Sequence, residues 1–268
     1  MWRAMWAIIT RELTRMLRQR GRLLSSMARP LIWLLVIGSG FGAMLSHVGP
    51  GGYQQFLIPG LLCMVLLFGA MLASLSLVYD KESGVMRMLV IAPFAHYWII
   101  LARTVSAAVV GLVQAIILIV ILAAIGFFTT TFNLAILVLG LVVTAFACAS
   151  MGMLIAVFSK TLDNFAVIMN FVIFPVFFLS GALYPVQHLP FALKIITLIN
   201  PFSYGVDLLK HALLDGLPTS LGADFTIGQD LLFMIGFTVI ATGIACIRFS
   251  RAPVIETLAR ILSTPRRG

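Results

Sequence analysis

The sequence predicts an all-α polytopic membrane protein, and three observations carry that prediction. Hydrophobic residues make up 61% of the chain and charged residues only 10%, whereas a soluble domain has about 45–50% apolar and about 25% charged residues. The apolar residues gather into six runs near the roughly 20 residues a helix needs to cross a bilayer: about Pro30–His47, Phe56–Val78, Ile99–Phe127, Leu134–Phe158, Phe165–Leu183 and Leu231–Ile247. With both termini cytoplasmic, 16 of the 18 lysines and arginines fall on that side, and only Lys194 and Lys210 on the other. That asymmetry is the positive-inside pattern of an even number of spans. It assigns the net charge of +9 to topology rather than to nucleic acid, for which no motif is present.

Residues 1–27 precede the first span. At about 100° per residue, Trp2, Met5, Trp6, Ile9, Leu13, Met16 and Leu17 fall on one arc and Arg11, Arg15, Arg18 and Arg22 on the opposite one, which predicts a helix lying in the cytoplasmic interface. The stretch has no uninterrupted apolar core and no small-residue cleavage site, so it is read as retained rather than as a targeting signal. In the first span Gly38 and Gly42 have the small-xxx-small spacing that lets helix backbones approach closely in lipid. Ordinary packing within the chain accounts for most such pairs, and a subunit interface for some.

After the second span, YDKESGVMRMLVIAPFAHYW is too short and too apolar for a separate domain. Asp80, Lys81, Glu82 and Arg87 charge its first part, Pro93 stops an apolar second part, and Tyr79, Tyr97 and Trp98 suit the headgroup belt. A short helix along the cytoplasmic face fits residues 80–98, either bound to a partner or lying free in the interface. The connections at TTTFN and SKTLDN are too short to organise a site. Residues 184–228 are different. Pro185 and Pro190 break the chain, FALKIITLI makes an apolar half-span, and Asn200 with Pro201 starts a second helix bearing Phe202, Val206, Leu209 and Leu213 at helical spacing. Non-spanning helices survive at membrane depth only when packed on protein or lining a cavity, so this region is expected to cap the outer ends of the spans.

Much chemistry is missing. Arg103 is grouped with the cytoplasmic cations, and the span interiors are read as free of Asp, Glu, Lys and Arg, which disfavours proton or ion relays. Cys63, Cys148 and Cys246 lie in three different spans and form neither a disulfide framework nor a metal pattern. His47, His96, His188 and His211 are far apart, without metal-ligand spacing, and read as solvated or interfacial. No phosphate-binding loop, nucleophile elbow or paired-carboxylate pattern is present, so the chain is read as a non-catalytic membrane subunit. A transporter without energy coupling of its own must borrow it. The alternatives are an ATPase-independent secondary carrier or channel, and a membrane anchor or assembly scaffold.

Three local patterns carry a resemblance: Asp80, Glu82, Gly84, Leu89 and Pro93 after the second span, FLSGALYPVQHLP after the fifth, and NPFSYGVDLLKHAL before the sixth. They resemble the ABC transporter type-2 permeases, the transmembrane subunits of ABC exporters of the drug-exporter and Nod-factor-export kind. The resemblance implies one permease domain over residues 1–268. Within it, residues 1–27 form a connecting helix, 80–98 a coupling helix, 184–228 re-entrant extracytoplasmic helices and 248–268 a cytoplasmic tail. It implies a bacterial inner-membrane location, a second permease forming a homodimer, and two copies of a separate ATPase holding ATP and Mg, with no cofactor in this chain. Asp80, Glu82, Gly84, Arg87, Leu89 and Pro93 would couple to that ATPase, and Arg11, Arg15 and Arg18 would face it. Phe171, Phe174 and Phe178, which share a helical face, would line a hydrophobic or amphiphilic substrate's path, with Pro201, Phe202 and Tyr204 gating the outer side.

Overall fold

The computed structural model describes residues 6, 9–11, 14, 21, 28, 30–40, 52–85, 96–127, 132–214 and 222–263. Regular structure among them is helical, with no strand. The major helices are α1 (Gly52–Glu82), α2 (Tyr97–Ala124), α3 (Leu134–Phe158), α4 (Leu162–Phe178), α5 (Phe191–Ile199), α6 (Pro201–Leu213) and α7 (Ile227–Ser263). Four of them, α1, α2, α3 and α7, are long and apolar enough to cross a membrane. If α5 and α6, bent by 86° at Asn200, count as one broken span, the number is five.

Helix α1 is the centre of the bundle. Its apolar window is 83% buried inside the chain, against 22% for α7, because α2, α3, α4 and α6 all pack around it. Small residues permit those approaches, as they must where lipid offers helices no hydrophobic reason to associate. A Cβ on Gly69 would stand 3.1 Å from the Cα of Gly111 on α2, and one on Gly152 of α3 would stand 2.5 Å from Ser74 Oγ. Gly38, in the π-helical stretch Leu34–Gly38, faces Gln54 and Leu57 of α1, so it packs within the chain; Gly42 and the rest of the first span beyond residue 40 lie outside the described residues.

Several expected boundaries are corrected. Helix α1 runs on to Glu82 rather than stopping at Val78; at about 1.5 Å per residue its 31 residues exceed the roughly 30 Å hydrocarbon core, so its last turn carries charge beyond the lipid tails. Gly84, at φ +75°, then ends it in the left-handed conformation that glycine adopts without strain. The fifth apolar run is helical only from Leu162 to Phe178. Gly181, at φ +74°, turns the chain there, and Leu183 lies outside the helix, where its carbonyl accepts a hydrogen bond from the Tyr53 hydroxyl at 3.1 Å. Helix α7 begins at Ile227 and continues to Ser263, so it takes in the start of the expected tail and the end of the re-entrant region.

Side-chain caps explain why α3, α4 and α6 start where they do. Asn133 Oδ1 accepts from the amides of Ala135 and Ile136, Thr161 Oγ1 from Asn164, and Asn200 Oδ1 from Phe202. Asn200 does more than cap α6. Its Nδ2 donates to the Val176 carbonyl at 2.7 Å, so one side chain satisfies the exposed end of α4 and the start of α6. The α5–α6 bend is thereby fastened to α4. The Tyr204 hydroxyl fastens it again, donating to the Leu198 carbonyl at 2.7 Å.

Candidate functional site

Three consecutive charged residues close α1: Asp80, Lys81 and Glu82. Successive residues on a helix point about 100° apart, so these three reach three different neighbours. Asp80, only 4% exposed, accepts from Arg11 Nη2 at 3.2 Å and pairs with Arg103 Nη2 of α2. The Arg103 guanidinium, 2% exposed, also donates to Ser76 Oγ at 3.0 Å. Lys81 Nζ donates to the carbonyls of Ala156 and Val157 at 2.8 Å each and of Ser159 at 3.4 Å. Those are orphan acceptors at the negative end of the α3 dipole, where a cation belongs. Glu82 Oε2 accepts from the Leu162 amide at 3.0 Å, at the positive end of α4. One turn of α1 thus ties together the N-terminal stretch, α2, α3 and α4.

The expected coupling residues therefore separate into two groups. Asp80 and Glu82 are engaged inside the chain, Asp80 in a buried ion pair and Glu82 in an exposed helix cap, while Gly84 sits at the exit of α1. Arg87, Leu89 and Pro93 lie outside the described residues, as do Arg15 and Arg18. Arg11 is described, half exposed, and joined to Asp80. Arg103 corrects the expectation of uncharged span interiors: it lies within α2 and is among the largest fully buried side chains. Its signal was a lone arginine after Trp98 in an otherwise apolar run, and its acidic partner was already visible at Asp80.

The aromatic residues also separate. Phe171, Phe174 and Phe178 are 80%, 48% and 38% exposed along one face of α4. Phe174 and Phe178 stack with centroids 6.3 Å apart, and Trp33 meets Phe178 edge-on at 5.7 Å. Two of the residues expected at an outer gate are packed into the bundle. Phe202 and Tyr204 are each 3% exposed, and Tyr204 lies flat on Phe233 with centroids 4.4 Å apart. Pro201 occupies the first turn of α6, where its missing N–H costs no helical bond.

A second charged group, absent from the sequence-based expectations, lies at the other end of α1. Asp207 and Lys210 of α6 and Asp230 of α7 are 1%, 2% and 0% exposed. Lys210 Nζ pairs with Asp224 at 3.1 Å and lies 5.1 Å from the centre of the Phe56 ring. The amides of Asp224 and Phe225 donate to the two Asp207 oxygens at 2.7 and 2.9 Å. This arrangement folds the chain after α6 back over it and delivers it to α7. In the sequence the signal was VDLLKHAL, a helical stretch whose Asp207 and Lys210 are buried.

Relatives cover most of the chain. The ABC-2 type transporter family description matches residues 3–214. The chain is 28% identical over 202 residues to Nodulation protein J of Rhizobium leguminosarum bv. trifolii, covering 72% of this chain and 74% of that one. It is 24% identical over 210 residues to the putative transport permease ycf38 of Cyanophora paradoxa, covering 77% and 72%. Against the probable multidrug ABC transporter permease YbhR of Escherichia coli (strain K12), identity is 28% over 164 residues, or 59% of this chain and 44% of that one. With a match of that length joined to an apolar helical bundle, the chain belongs to the ABC-2 type transporter family, as a multi-pass membrane permease.

Proposed function

We propose that this permease exports a hydrophobic or amphiphilic substrate, a drug, lipid or glycolipid, using ATP hydrolysed by a separate subunit. Two ATPase copies, which hold ATP and Mg, work with two permeases as a homodimer in the bacterial inner membrane. Each permease has six spans and both termini cytoplasmic. The observation that carries the reading is the Asp80–Lys81–Glu82 turn. A push delivered to the segment after Glu82 reaches α2, α3, α4 and the Arg11 stretch at once, because each is bonded to that turn. ATP binding draws the ATPases together, residues 80–98 act as the coupling element, and its Asp80–Glu82 turn at the end of α1 passes the motion into the bundle.

The exposed Phe171, Phe174 and Phe178 face is the substrate's path in this reading. Pro201, Phe202 and Tyr204 form the outer gate in this reading, at a bend that Asn200 holds to α4 and the Tyr204 hydroxyl holds to Leu198. A relative named as a probable multidrug ABC transporter permease supports a drug among the candidate cargoes.

The test is co-purification of the permease with the ATPase encoded beside it, followed by paired assays of ATP hydrolysis and transport in proteoliposomes. Wild-type vesicles are expected to couple the two, and Asp80→Asn to keep ATPase binding while lowering transport per ATP at least tenfold. Failure to recover any ATPase, or transport driven by an ion gradient without one, overturns the reading.

A further inference from the structure

We propose that Asp207, His211 and Asp230 form a binding site for one divalent transition-metal ion at the Lys210 end of the bundle. Asp207 and His211 are four residues apart on α6, so they share one face of that helix. Asp230 arrives from the first turn of α7. One ligand atom from each lies within 4.8 Å of the other two. His211 Nε2 stands 3.7 Å from Asp207 Oδ2 and 3.9 Å from Asp230 Oδ2. Ligands bound at about 2.1 Å around a tetrahedral ion stand about 3.4 Å apart, so these two separations need only a small closure.

Asp230 points independently to a missing ligand. Its side chain is 0% exposed, it faces His211, and neither of its carboxylate oxygens has a hydrogen-bond partner among the described residues. A buried carboxylate in that condition is strongly disfavoured unless something compensates it. Lys210 compensates it only in part, because its ammonium is paired with Asp224. Asp207 does not, because it accepts from the amides of Asp224 and Phe225 and carries the same charge. Among the described residues, Asp207, Asp224 and Asp230 against Lys210 leave a net charge of two negatives when His211 is neutral, which is the charge of one divalent cation.

The donor set selects the class of ion. One imidazole nitrogen with two carboxylates suits zinc and its neighbours better than calcium or magnesium, which prefer all-oxygen shells. In the metal-free protein His211 Nε2 lies 2.8 Å from the Phe225 carbonyl, which can only accept, so Nε2 carries the hydrogen there and a bound ion would replace that hydrogen bond. With the metal on Nε2, the imidazole hydrogen resides on Nδ1. His211, a quarter exposed, is the way in, while the two carboxylates lie behind it. Bound metal would pin α7 to α6.

The experiment uses the full chain without a histidine tag, purified in detergent, stripped with chelator and titrated with Zn²⁺ or Co²⁺ alone. One Zn²⁺ per chain is expected, and Co²⁺ is expected to develop the visible absorption of a low-coordinate nitrogen and oxygen site. Asp230→Asn and His211→Gln should each weaken Zn²⁺ binding at least tenfold, while Asp163→Asn, at the start of α4, leaves it unchanged. If either variant fails to elute as a single species, wild-type stoichiometry and the cobalt spectrum decide. The proposal is overturned by sub-stoichiometric binding, or by binding that survives both substitutions. It is also overturned by an infrared band of a protonated carboxyl that Asp230→Asn removes and Zn²⁺ does not. That last outcome would make Asp230 a neutral acid. No transport assay enters, so failure here leaves the permease reading standing.

Discussion

The two ends of α1 handle buried charge in opposite ways. At the Glu82 end Asp80 has two arginines, Lys81 has a helix C-terminus and Glu82 has a helix N-terminus, so each charge meets its complement on a different element. At the Gly52 end three aspartates converge on α6 and the first turn of α7 with one lysine among them, and Asp230 is left without a hydrogen-bond partner. A matched charge set transmits displacement, because moving one member drags its partners. An unmatched one stores a demand for a cation. That difference is the basis for proposing force transfer at the first end and ligand binding at the second.

The largest effect is expected from unmatching the matched end. Removing one member of a buried ion pair leaves the other uncompensated and costs about 3–5 kcal/mol, so Asp80→Leu should lower the thermal unfolding midpoint in detergent sharply. The double variant Asp80→Leu with Arg103→Met should recover much of that loss, since replacing a buried pair by apolar residues is close to neutral. If the double variant is no better than the single, the pair is not the source of the stability. Next in size is a steric test near the other end. A Cβ on Gly60 would stand 2.7 Å from the Ala182 Cβ and 2.8 Å from its carbonyl oxygen, and backbone cannot step aside. Gly60→Val should therefore destabilise by about 1–3 kcal/mol, read in the same unfolding assay. Lys81→Met comes third, at about 1 kcal/mol, because it keeps the apolar stem and removes only the charge on the α3 carbonyls. Proteolysis after Phe158 is the local readout: faster cleavage there, with the rest of the chain protected, is the expected result.

What the sequence disclosed follows the same division. Apolar run length located α1, α2, α3 and α7, since a span has few ways to be anything else. The Asn200–Pro201 start and the buried row of Phe202, Val206, Leu209 and Leu213 were legible because helical periodicity survives burial. Partnering was not. Nothing local in the sequence says that Lys81 will reach carbonyls 75 to 78 residues away, or that Asp230 will meet His211. Counting Arg103 by its distance from a span end hid that it lies inside α2, and judging the histidines by spacing along the chain hid a contact made between α6 and α7. Charges in a membrane chain are better read by asking which opposite charge the topology places at the same depth.

The smallest predicted effect, at Asp230, separates the two ends most cleanly when set beside Asp80, because Asp→Asn has opposite signs at the two. Asp→Asn removes a charge and keeps the side-chain shape. At Asp80 that charge balances buried Arg103, so Asp80→Asn must destabilise. At Asp230 the charge lies buried beside Asp207 without a hydrogen-bond partner of its own, so in metal-free protein Asp230→Asn should stabilise, by about 1 kcal/mol once the amide's own desolvation is set against the lost charge. Unfolding midpoints of the two variants against the wild type, all in chelator, decide it. Adding Zn²⁺ should then raise the wild-type midpoint and leave the Asp230→Asn midpoint where it was, since a ligand stabilises only the state that binds it. A chain in which both substitutions destabilise alike, with or without zinc, would mean that the two ends of α1 are matched by the same rule.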